Sequence, residues 1–324
     1  MITIKDVAKE AGVSPSTVSI ILNGKCAERK ISDATQNAVR AAMKKLGYIP
    51  NISAGKLKGG SPERVIALFW TLDYRDIMLA RFLKGLQAEI TKKKLNYKIE
   101  IIPYKNDELS HETALASVAD FHAAIIANAG AADMEFLKGL DPLIPIVLYN
   151  RRTENYGGVY IDDAEIAKAS YSVLKDCKRV TVVDVPHAFP GMAVRDRKLT
   201  ELLGKAHLAT VYSETNNAEG GYNVCEKIDF KKTDAIYTPS DMIALGILNY
   251  AYKNNIKVPQ DVKLLSIGNG LVQMDEYIGP GLSTIDIPLE EMAGKCLSLL
   301  TDELNGKPAK SIKVKPKTVL RGTI

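Results

Sequence analysis

The sequence predicts an all-α head containing a helix-turn-helix, followed by a larger α/β part made of two lobes. With 324 residues, 46% of them hydrophobic and 25% charged, the chain is long enough for two or three globular domains. Helical patterns fill residues 3–46, whereas from Arg64 onward apolar runs typical of buried strands alternate with helical stretches. The two patterns meet near Gly59-Gly60-Ser61-Pro62, whose composition indicates a domain boundary.

The opening segment contains two short helical patterns separated by a glycine. Thr3 can cap the first helix, with Asp6 three residues later, and Gly12 supplies a tight turn. Ser14 can cap the second helix, which has Pro15 at its first position, where a missing N–H costs nothing. The side of this helix away from the expected core carries Ser16, Thr17, Ser19 and Ile20. This pattern predicts a helix-turn-helix, whose second helix enters the major groove of DNA.

A third helix, Asp33–Leu46, is expected after Ser32, which can cap it. The expected core of the three helices consists of Val7, Ala8, Val13, Val18, Leu22, Val39, Met43 and Leu46. Residues 50–58 can form one more short helix, but Gly55 in its middle costs roughly 1 kcal/mol relative to alanine. This hinge helix should therefore form only when something else supports it.

The positive charge of the chain is concentrated in this head. Residues 1–62 contain ten Lys and Arg against four Asp and Glu, whereas the remainder contains 33 against 34. Because the charge excess coincides with the helix-turn-helix, the phosphates of double-stranded DNA are the expected partner.

Two series of strands alternating with helices follow. Strands are predicted at 65–71, 97–103, 123–128 and 144–149, and then at 179–185, 208–213, 234–238 and 263–268. The intervening helices are predicted at 77–94, 111–120, 133–140, 164–176, 191–205, 219–228 and 241–254. The glycine pairs 157–158 and 220–221 are interpreted as turns. Two such series imply two parallel α/β lobes, with a ligand expected beyond the carboxyl ends of the strands, in a cleft between the lobes.

The N-terminal motif resembles that of the lactose-repressor/galactose-repressor (LacI/GalR) family. The similarity rests on TIKDVAKEAGVSPSTVSIILNG, on the third helix, and on LGYIPN followed by an Ala-x-x-Leu hinge. It continues in TPSDMIALGILNYAYKNNIKVPQDVKLLSIGN, which is similar to the family's effector domain. The resemblance implies a periplasmic-binding-protein-like fold for the α/β part.

The resemblance also implies how the head would contact DNA. The helix Pro15–Leu22 would read bases, and the hinge helices of a homodimer would lie in the minor groove, where Leu57 would open the central base step of a pseudo-palindromic operator. A linker leucine packed on the next domain is the alternative for Leu57. The residues assigned to DNA contact are Thr3, Ser14, Pro15, Ser16, Thr17, Ser19, Ile20, Asn23, Tyr48, Asn51, Ala54 and Leu57.

Two positions of the head depart from the family. Gly55 stands where an arginine is usual, so that anchoring by the hinge is either lost or passed to Lys56 and Lys58. Ile20 also replaces a frequent arginine, and isoleucine can contact a thymine methyl but cannot donate to guanine. We therefore expect the operator to differ from the family's usual sequence at that base.

The domain bounds expected from the resemblance are 1–58 for the head with its hinge helix (50–58) and 59–324 for the effector-binding and dimerisation domain. Lobe 1 would comprise 62–161 and 288–319, and lobe 2 would comprise 162–287 and 320–324. The chain would thus cross between lobes near Ile161, Ile287 and Leu320, and a helix Leu289–Leu304 would return to the first lobe.

The effector-binding candidates are Trp70, Tyr74, Asn150, Arg197, Tyr222, Asp241 and Asn269. The resemblance matches Arg197 to a position that commonly hydrogen-bonds the ligand and Asp241 to one that often accepts sugar hydroxyls. The guanidinium of Arg197 suits vicinal hydroxyls or a carboxylate. The alternative role for Asp241 is that of a plain helix N-cap. The alternative role for Trp70 is that of a core residue. Asn269 stands where the family commonly has Asp, Ile287 replaces a frequent Gln and Thr200 a usual Gly, so the resemblance implies the fold but does not identify the ligand.

The sequence does not contain a recognisable catalytic or cofactor motif. The four histidines, His111, His122, His187 and His207, are expected in surface or loop positions, and the four cysteines form no CxxC pattern, so neither a metal nor a cofactor is predicted. No apolar run approaches the ~20 residues that span a bilayer. Without a signal-peptide pattern at the N-terminus, a cytoplasmic location is expected.

These observations favour a homodimeric transcription regulator, expected to be a repressor, whose operator affinity is set by a small molecule such as a sugar. A sugar-metabolism enzyme with a DNA-binding head would need catalytic residues that the sequence lacks. A solute-binding protein of the same α/β fold would need a signal peptide and would not need the helix-turn-helix.

Overall fold

The computed structural model describes residues 2–26, 28–48, 63–73, 75, 78–112, 115, 121–187 and 189–324. The helices are α1 (Ile4–Ala11), α2 (Pro15–Leu22), α3 (Asp33–Leu46), α4 (Leu79–Lys93), α5 (Ala131–Gly139), α6 (Asp163–Leu174), α7 (Pro190–Leu203), α8 (Ala218–Asn223), α9 (Asp241–Lys253), α10 (Val272–Tyr277) and α11 (Leu289–Leu304). The strands are β1 (Arg64–Thr71), β2 (Tyr97–Tyr104), β3 (Ala123–Ala127), β4 (Ile146–Tyr149), β5 (Gly157–Ile161), β6 (Val180–Asp184), β7 (Leu208–Tyr212), β8 (Ala235–Tyr237), β9 (Lys263–Gly268), β10 (Ser283–Asp286), β11 (Ser311–Val314) and β12 (Lys317–Val319).

The head has the three helices that its local signals predict. Thr3 and Asp6 form a capping box at the start of α1, and Gly12 ends that helix with φ of 65°, in the left-handed region. Ser14 caps α2 with Pro15 at the first position. The buried apolar residues of the head are Val7, Ala8, Val18, Ile21, Leu22, Val39, Ala42 and Met43. The predicted core members Val13 and Leu46 are partly buried against them.

Two six-stranded sheets form the α/β part. The first has the order β11-β5-β4-β3-β1-β2 and the second the order β12-β10-β9-β8-β6-β7. The paired strands from β1 to β5 are parallel, as are those from β6 to β10, whereas β10 and β12 are antiparallel. The outer strands β2 and β7 are only half-buried, as expected at sheet edges. The predicted two-sheet α/β architecture is therefore present.

The chain divides into two compact units, whose bounds differ from the predicted lobes. Unit 1 comprises Met1–Leu72, Lys84–Val159 and Ala293–Ile312, and unit 2 comprises Asp73–Leu83, Tyr160–Met292 and Lys313–Ile324. The predicted last crossing near Leu320 is wrong, because β12 already pairs with β10 in the second sheet. Residues 73–83, expected in lobe 1, belong to unit 2.

Both glycine pairs interpreted as turns lie in regular structure. Gly157 and Gly158 begin β5, where they pair with β4. Gly221 lies in α8, and a Cβ on it would overlap the carbonyl oxygen of Ile243 in α9. The missing side chains therefore permit close backbone approach, and sequence pattern alone does not separate this use of glycine from a turn.

His122 lies in the loop just before β3, one of the two positions expected for the histidines, but it is buried. It is 5% exposed, and its Nδ1 accepts a hydrogen bond of 3.0 Å from the backbone N–H of Val65. Burial and the nearby charge of Arg64 lower the pKa of this imidazole, which favours its neutral form. The predicted helix at 111–120 falls largely outside the described residues.

Candidate functional site

The second helix of the head, α2, presents hydroxyl groups at its exposed start. The Ser14 Oγ accepts the backbone N–H of Thr17 at 3.1 Å and also lies 2.7 Å from the Ser16 Oγ and 2.9 Å from the Thr17 Oγ1. These bonds cap the helix and hold three hydroxyls together on the side away from the core. The arrangement suits hydrogen bonding to phosphates and base edges.

The other end of α2 is capped by Asn23. Its Nδ2 donates to the carbonyl oxygen of Ser19 at 2.7 Å, and its backbone N–H also donates to that oxygen. Ile20 is half-buried, and Thr3 and Asn23 are exposed. Tyr48 is half-buried, and burial raises the pKa of its hydroxyl. The predicted contacts Asn51, Ala54 and Leu57 lie outside the described residues.

Exposed cations occur on the segments before and after this helix. The helix itself, PSTVSIIL, carries no charge. Exposed cations flank it on α1 and in the loop that follows α2: Lys5, Lys9, Lys25, Arg29 and Lys30. Cations around a neutral, hydroxyl-bearing helix suit a division between phosphate contacts that position the head and base contacts that read the sequence.

In unit 1, two of the effector candidates lie at the carboxyl ends of strands. Trp70 lies in the core, since only 1% of its surface is exposed. Its ring stacks on the ring of Tyr149, with 6.1 Å between the ring centres. Asn150 follows β4 with φ of 54°, and its backbone N–H donates to the carbonyl oxygen of Val159 at 2.7 Å. Tyr74 lies outside the described residues. The alternative interpretation of Trp70, as a core residue, agrees with its burial.

In unit 2, Asp241 is a buried carboxylate with its own hydrogen-bond donors. The N-cap of α9 is Ser240, so the plain N-cap alternative for Asp241 is wrong. The Asp241 Oδ2 accepts the backbone N–H of Gly270 at 2.8 Å, and its Oδ1 accepts the hydroxyls of Ser266 and Thr284. Burial raises the pKa of this carboxyl, whereas the hydrogen bonds lower it. Asp241 therefore ties α9 to β9 and β10.

Asn269 is also engaged within unit 2. Its Nδ2 donates to the Asp286 Oδ1 at 3.2 Å, and its Oδ1 accepts from the Arg321 Nη2 at 3.1 Å. Arg81 donates to the Asn269 carbonyl oxygen and forms an ion pair with Glu290. The Asn269 side chain thus joins a network of charged groups. The backbone φ of Asn269 is 54°, in the left-handed region that asparagine tolerates.

Helix α7 carries two arginines, Arg195 and Arg197, whose surroundings differ. Arg197, the predicted effector residue, is exposed. Arg195 is 5% exposed, its Nε lies 2.5 Å from the Asp163 Oδ1, and its Cζ lies 5.2 Å from the centre of the Phe189 ring. Because α7 follows β6, these contacts lie near the carboxyl edge of the second sheet. Arg195, which sequence reasoning missed, is therefore buried and paired within unit 2, whereas Arg197 is exposed.

Tyr222 packs far along α9 from Asp241. Its ring lies 5.3 Å from that of Tyr250, and the Lys253 Nζ lies 4.9 Å from its centre. Nine residues of helix separate Asp241 from Tyr250, a rise of roughly 14 Å at about 1.5 Å per residue. Tyr222 is therefore not brought to the same site as Asp241.

Asp275 is a further buried acid that no sequence motif indicated. It is 0% exposed, and neither carboxylate oxygen accepts a hydrogen bond from the described part of the chain. Burial, followed by the charge of Asp241, raises the pKa of Asp275 to about 7. Burial likewise raises the pKa of Asp286. The carboxyl edge of the second sheet thus holds several acids whose charge is costly.

Comparisons with known proteins agree with this combination of head and α/β part. The family model described as "Bacterial regulatory proteins, lacI family" matches residues 3–51, and the model described as "Periplasmic binding protein-like domain" matches residues 176–324. Catabolite control protein A of Staphylococcus aureus (strain Mu50) is 28% identical over 316 residues, covering 94% of this chain and 93% of the relative.

Solved structures show the same similarity. A LacI family transcription regulator from Clostridium acetobutylicum is 30% identical, with a TM-score of 0.74, covering 80% of this chain and 100% of that chain. A complex of the transcriptional regulator CelR with cellobiose has the same fold, with 19% identity, a TM-score of 0.67 and 100% coverage of both chains.

The head and the α/β part together define a DNA-binding transcription regulator. The chain belongs to the LacI family. The protein is accordingly a regulator and not an enzyme, which sets aside the two alternative functions considered from the sequence. Among the described residues, the longest apolar helices all fall short of what a membrane span requires.

Proposed function

We propose that the protein is a cytoplasmic repressor that binds a pseudo-palindromic operator as a homodimer and responds to a small ligand. The observation that carries the DNA-binding part is α2, whose capped start presents three hydroxyls, with exposed cations on α1 and in the loop that follows α2. Two copies of such a head are needed to read two half-sites of an operator. The ligand would bias the positions of the heads and hence the operator affinity.

The ligand class we propose is a sugar or sugar derivative. The support is the buried guanidinium of Arg195 beside Phe189, since planar N–H donors and an aromatic ring suit a hydroxylated ring. The CelR–cellobiose complex adds support, because that regulator has the same fold. Arg195 takes the role that the sequence assigned to Arg197, while Asp241 and Asn269 shape the edge of the sheet beside it.

The ligand proposal can be tested with two variants of α7. Sugars and sugar phosphates are screened by thermal shift on the full chain, and operator fragments selected from random DNA are then titrated with and without the stabilising compound. Arg195→Lys keeps the charge but loses the fork, and it should weaken ligand binding at least tenfold. Arg197→Ala is the matched control and should keep the response. Loss of the response in Arg197→Ala, with Arg195→Lys unaffected, would restore the original assignment.

The hinge proposal rests on Leu57 and the resemblance alone. If two leucines open the central base step, Leu57→Ala should weaken operator binding far more than binding to random DNA of equal length. Equal losses on both DNAs would contradict the wedge and favour the linker alternative. Light scattering of the free and operator-bound protein measures the dimer in the same samples.

A further inference from the structure

A cluster of one imidazole and two carboxylates lies in unit 2, where Asp196 directly follows Arg195 in α7. Its members are Asp184 at the end of β6, His187 in the following segment and Asp196 in α7. The three ligand atoms lie within 4.8 Å of one another. We propose that Asp184, His187 and Asp196 bind one divalent first-row transition-metal ion.

The distances agree with a shared cation. The His187 Nε2 lies 3.1 Å from the Asp196 Oδ2 and 3.3 Å from the Asp184 Oδ1. Ligand atoms about 2.1 Å from a metal are separated by roughly 3.0 Å at right angles and roughly 3.4 Å in a tetrahedron. Two of the three separations therefore already match a coordination sphere, and the third, between the two carboxylate oxygens, is within 4.8 Å.

The imidazole of His187 can serve only one of the two carboxylates with a hydrogen bond. A ring nitrogen carries at most one hydrogen, so the His187 Nε2 can donate a straight hydrogen bond to one carboxylate but not to both. The second carboxylate then faces the cluster without a directed donor from this ring. A divalent ion bound to the deprotonated nitrogen balances both anionic groups at once.

The chain holds two of the three ligands on separate regular elements. The carboxylate Oδ1 of Asp184 accepts a hydrogen bond of 2.8 Å from the backbone N–H of Val185. The backbone carbonyl oxygen of Asp184 accepts one of 2.9 Å from the backbone N–H of Ser213. The carbonyl oxygen of Asp196 accepts the Thr200 hydroxyl at 2.8 Å within α7. The bond from Val185 orients the Asp184 carboxylate, and the two bonds to carbonyl oxygens hold the backbone from which the aspartates project.

The donor set selects the class of ion. One imidazole with two carboxylates suits Mn²⁺, Fe²⁺, Co²⁺, Ni²⁺ or Zn²⁺, whereas Mg²⁺ and Ca²⁺ prefer oxygen ligands only. The side chains of Asp184, His187 and Asp196 are 37%, 34% and 34% exposed. The remaining coordination positions would therefore face solvent. This site departs from the sequence-based expectation of no metal, which considered cysteine spacing and not carboxylates brought together by the fold.

The test uses the full chain, treated with chelator and titrated calorimetrically with MnCl₂ and with ZnCl₂, while the electron paramagnetic resonance signal of free Mn²⁺ is followed in parallel. Wild-type protein should bind one equivalent. His187→Gln and Asp196→Asn should each weaken binding at least tenfold, with unchanged circular dichroism. His207→Gln is the matched control, because this exposed histidine of unit 2 bonds the Lys178 carbonyl oxygen at 2.9 Å and should not matter.

Two results would overturn the proposal. One is saturable binding in the wild type that neither His187→Gln nor Asp196→Asn reduces, which would place the ion elsewhere. The other is the absence of saturable binding up to millimolar metal, which would leave the cluster as a hydrogen-bonded group. The ligand proposal has its own test, through Arg195→Lys and Arg197→Ala, and it is read from the response of operator binding and not from metal binding.

Discussion

Arg195 and Asp163 form an ion pair in which the guanidinium Nε lies 2.5 Å from the carboxylate Oδ1. The pair joins α6 to α7, and only 6% of the arginine side chain and 23% of the aspartate side chain are exposed. A charge buried to this degree loses most of its hydration, so its partner is needed to balance it. Removing one member is therefore expected to cost more than removing both.

This relationship predicts a measurable coupling. Arg195→Ala should lower the free energy of unfolding by roughly 2–4 kcal/mol, because it leaves Asp163 without its partner. The double variant Arg195→Ala/Asp163→Ala should lose less than the sum of the two single variants. Urea unfolding of the four proteins closes the cycle. Arg197→Ala serves as the control and should change stability by no more than about 0.5 kcal/mol, as is usual at exposed positions. Additive losses would show that the two side chains do not interact.

Asp275 predicts a pH dependence of stability with a definite sign. Burial and the charge of Asp241 raise its folded pKa from 3.8 to about 7, while Arg321 and Arg81 act in the opposite direction. The folded protein therefore binds a proton that the unfolded chain releases, and stability falls as the pH rises from about 4 to about 7. The scale is about 1 kcal/mol for each pH unit within that window.

Asp275→Asn removes this titration and should flatten the slope between those pH values. Its stability relative to the wild type should increase as the pH rises, with the largest difference near pH 8, in urea unfolding measured at several pH values. Asp229→Asn is a suitable control, since the hydrogen bond from Lys232 lowers the pKa of that exposed carboxyl. An unchanged slope in Asp275→Asn would mean that Asp275 keeps its charge in the fold.

The packing of α8 on α9 depends on Gly246. A Cβ at this position would overlap the carbonyl oxygen of Ala218 and the backbone nitrogen of Tyr222, neither of which can move without shifting α8. Gly246→Ala should therefore destabilise the protein by about 1–3 kcal/mol, in the range of overpacked sites. Gly139→Ala is the matched change at the end of α5, where a Cβ meets nothing within 4 Å, and it should be neutral or stabilising. Equal thermal midpoints for the two variants would contradict the steric argument.

Local sequence signals were sufficient to predict the helices of the head. The features that the sequence did not predict depend on contacts between residues distant in the chain. Caps and turns such as Ser14 and Gly12 act within a few residues, so sequence alone located α1 and α2. The choice between Arg195 and Arg197 depends on which side of α7 meets α6, a tertiary fact that two arginines spaced by one residue do not reveal.

The strands that sequence reasoning missed show the same limit. β10 and β12 are short and follow segments rich in glycine, proline or lysine, and their pairing with each other stabilises both. Asp275 belongs to no motif, and its high pKa results from elements distant in sequence. Such features become predictable only when the fold is known.

The hydroxyls at the start of α2 allow stability and DNA recognition to be separated. The Ser14 Oγ accepts the Thr17 backbone N–H, whereas the Ser16 Oγ contacts only the Ser14 hydroxyl among the hydrogen bonds described for these residues. Ser14→Ala should therefore cost about 1 kcal/mol of local stability, as N-cap removal commonly does. Ser16→Ala should leave that stability unchanged.

Hydrogen exchange followed by mass spectrometry on the full chain measures the first effect, through faster exchange in peptides covering α2. Ser14→Asp should restore protection, because aspartate also caps helices. Operator titration measures the second effect: if the Ser16 hydroxyl contacts DNA, Ser16→Ala should weaken operator binding while exchange stays as in the wild type. Faster exchange in Ser16→Ala, or full protection in Ser14→Ala, would reverse the roles of the two serines, since only a capping hydroxyl holds the first turn of α2.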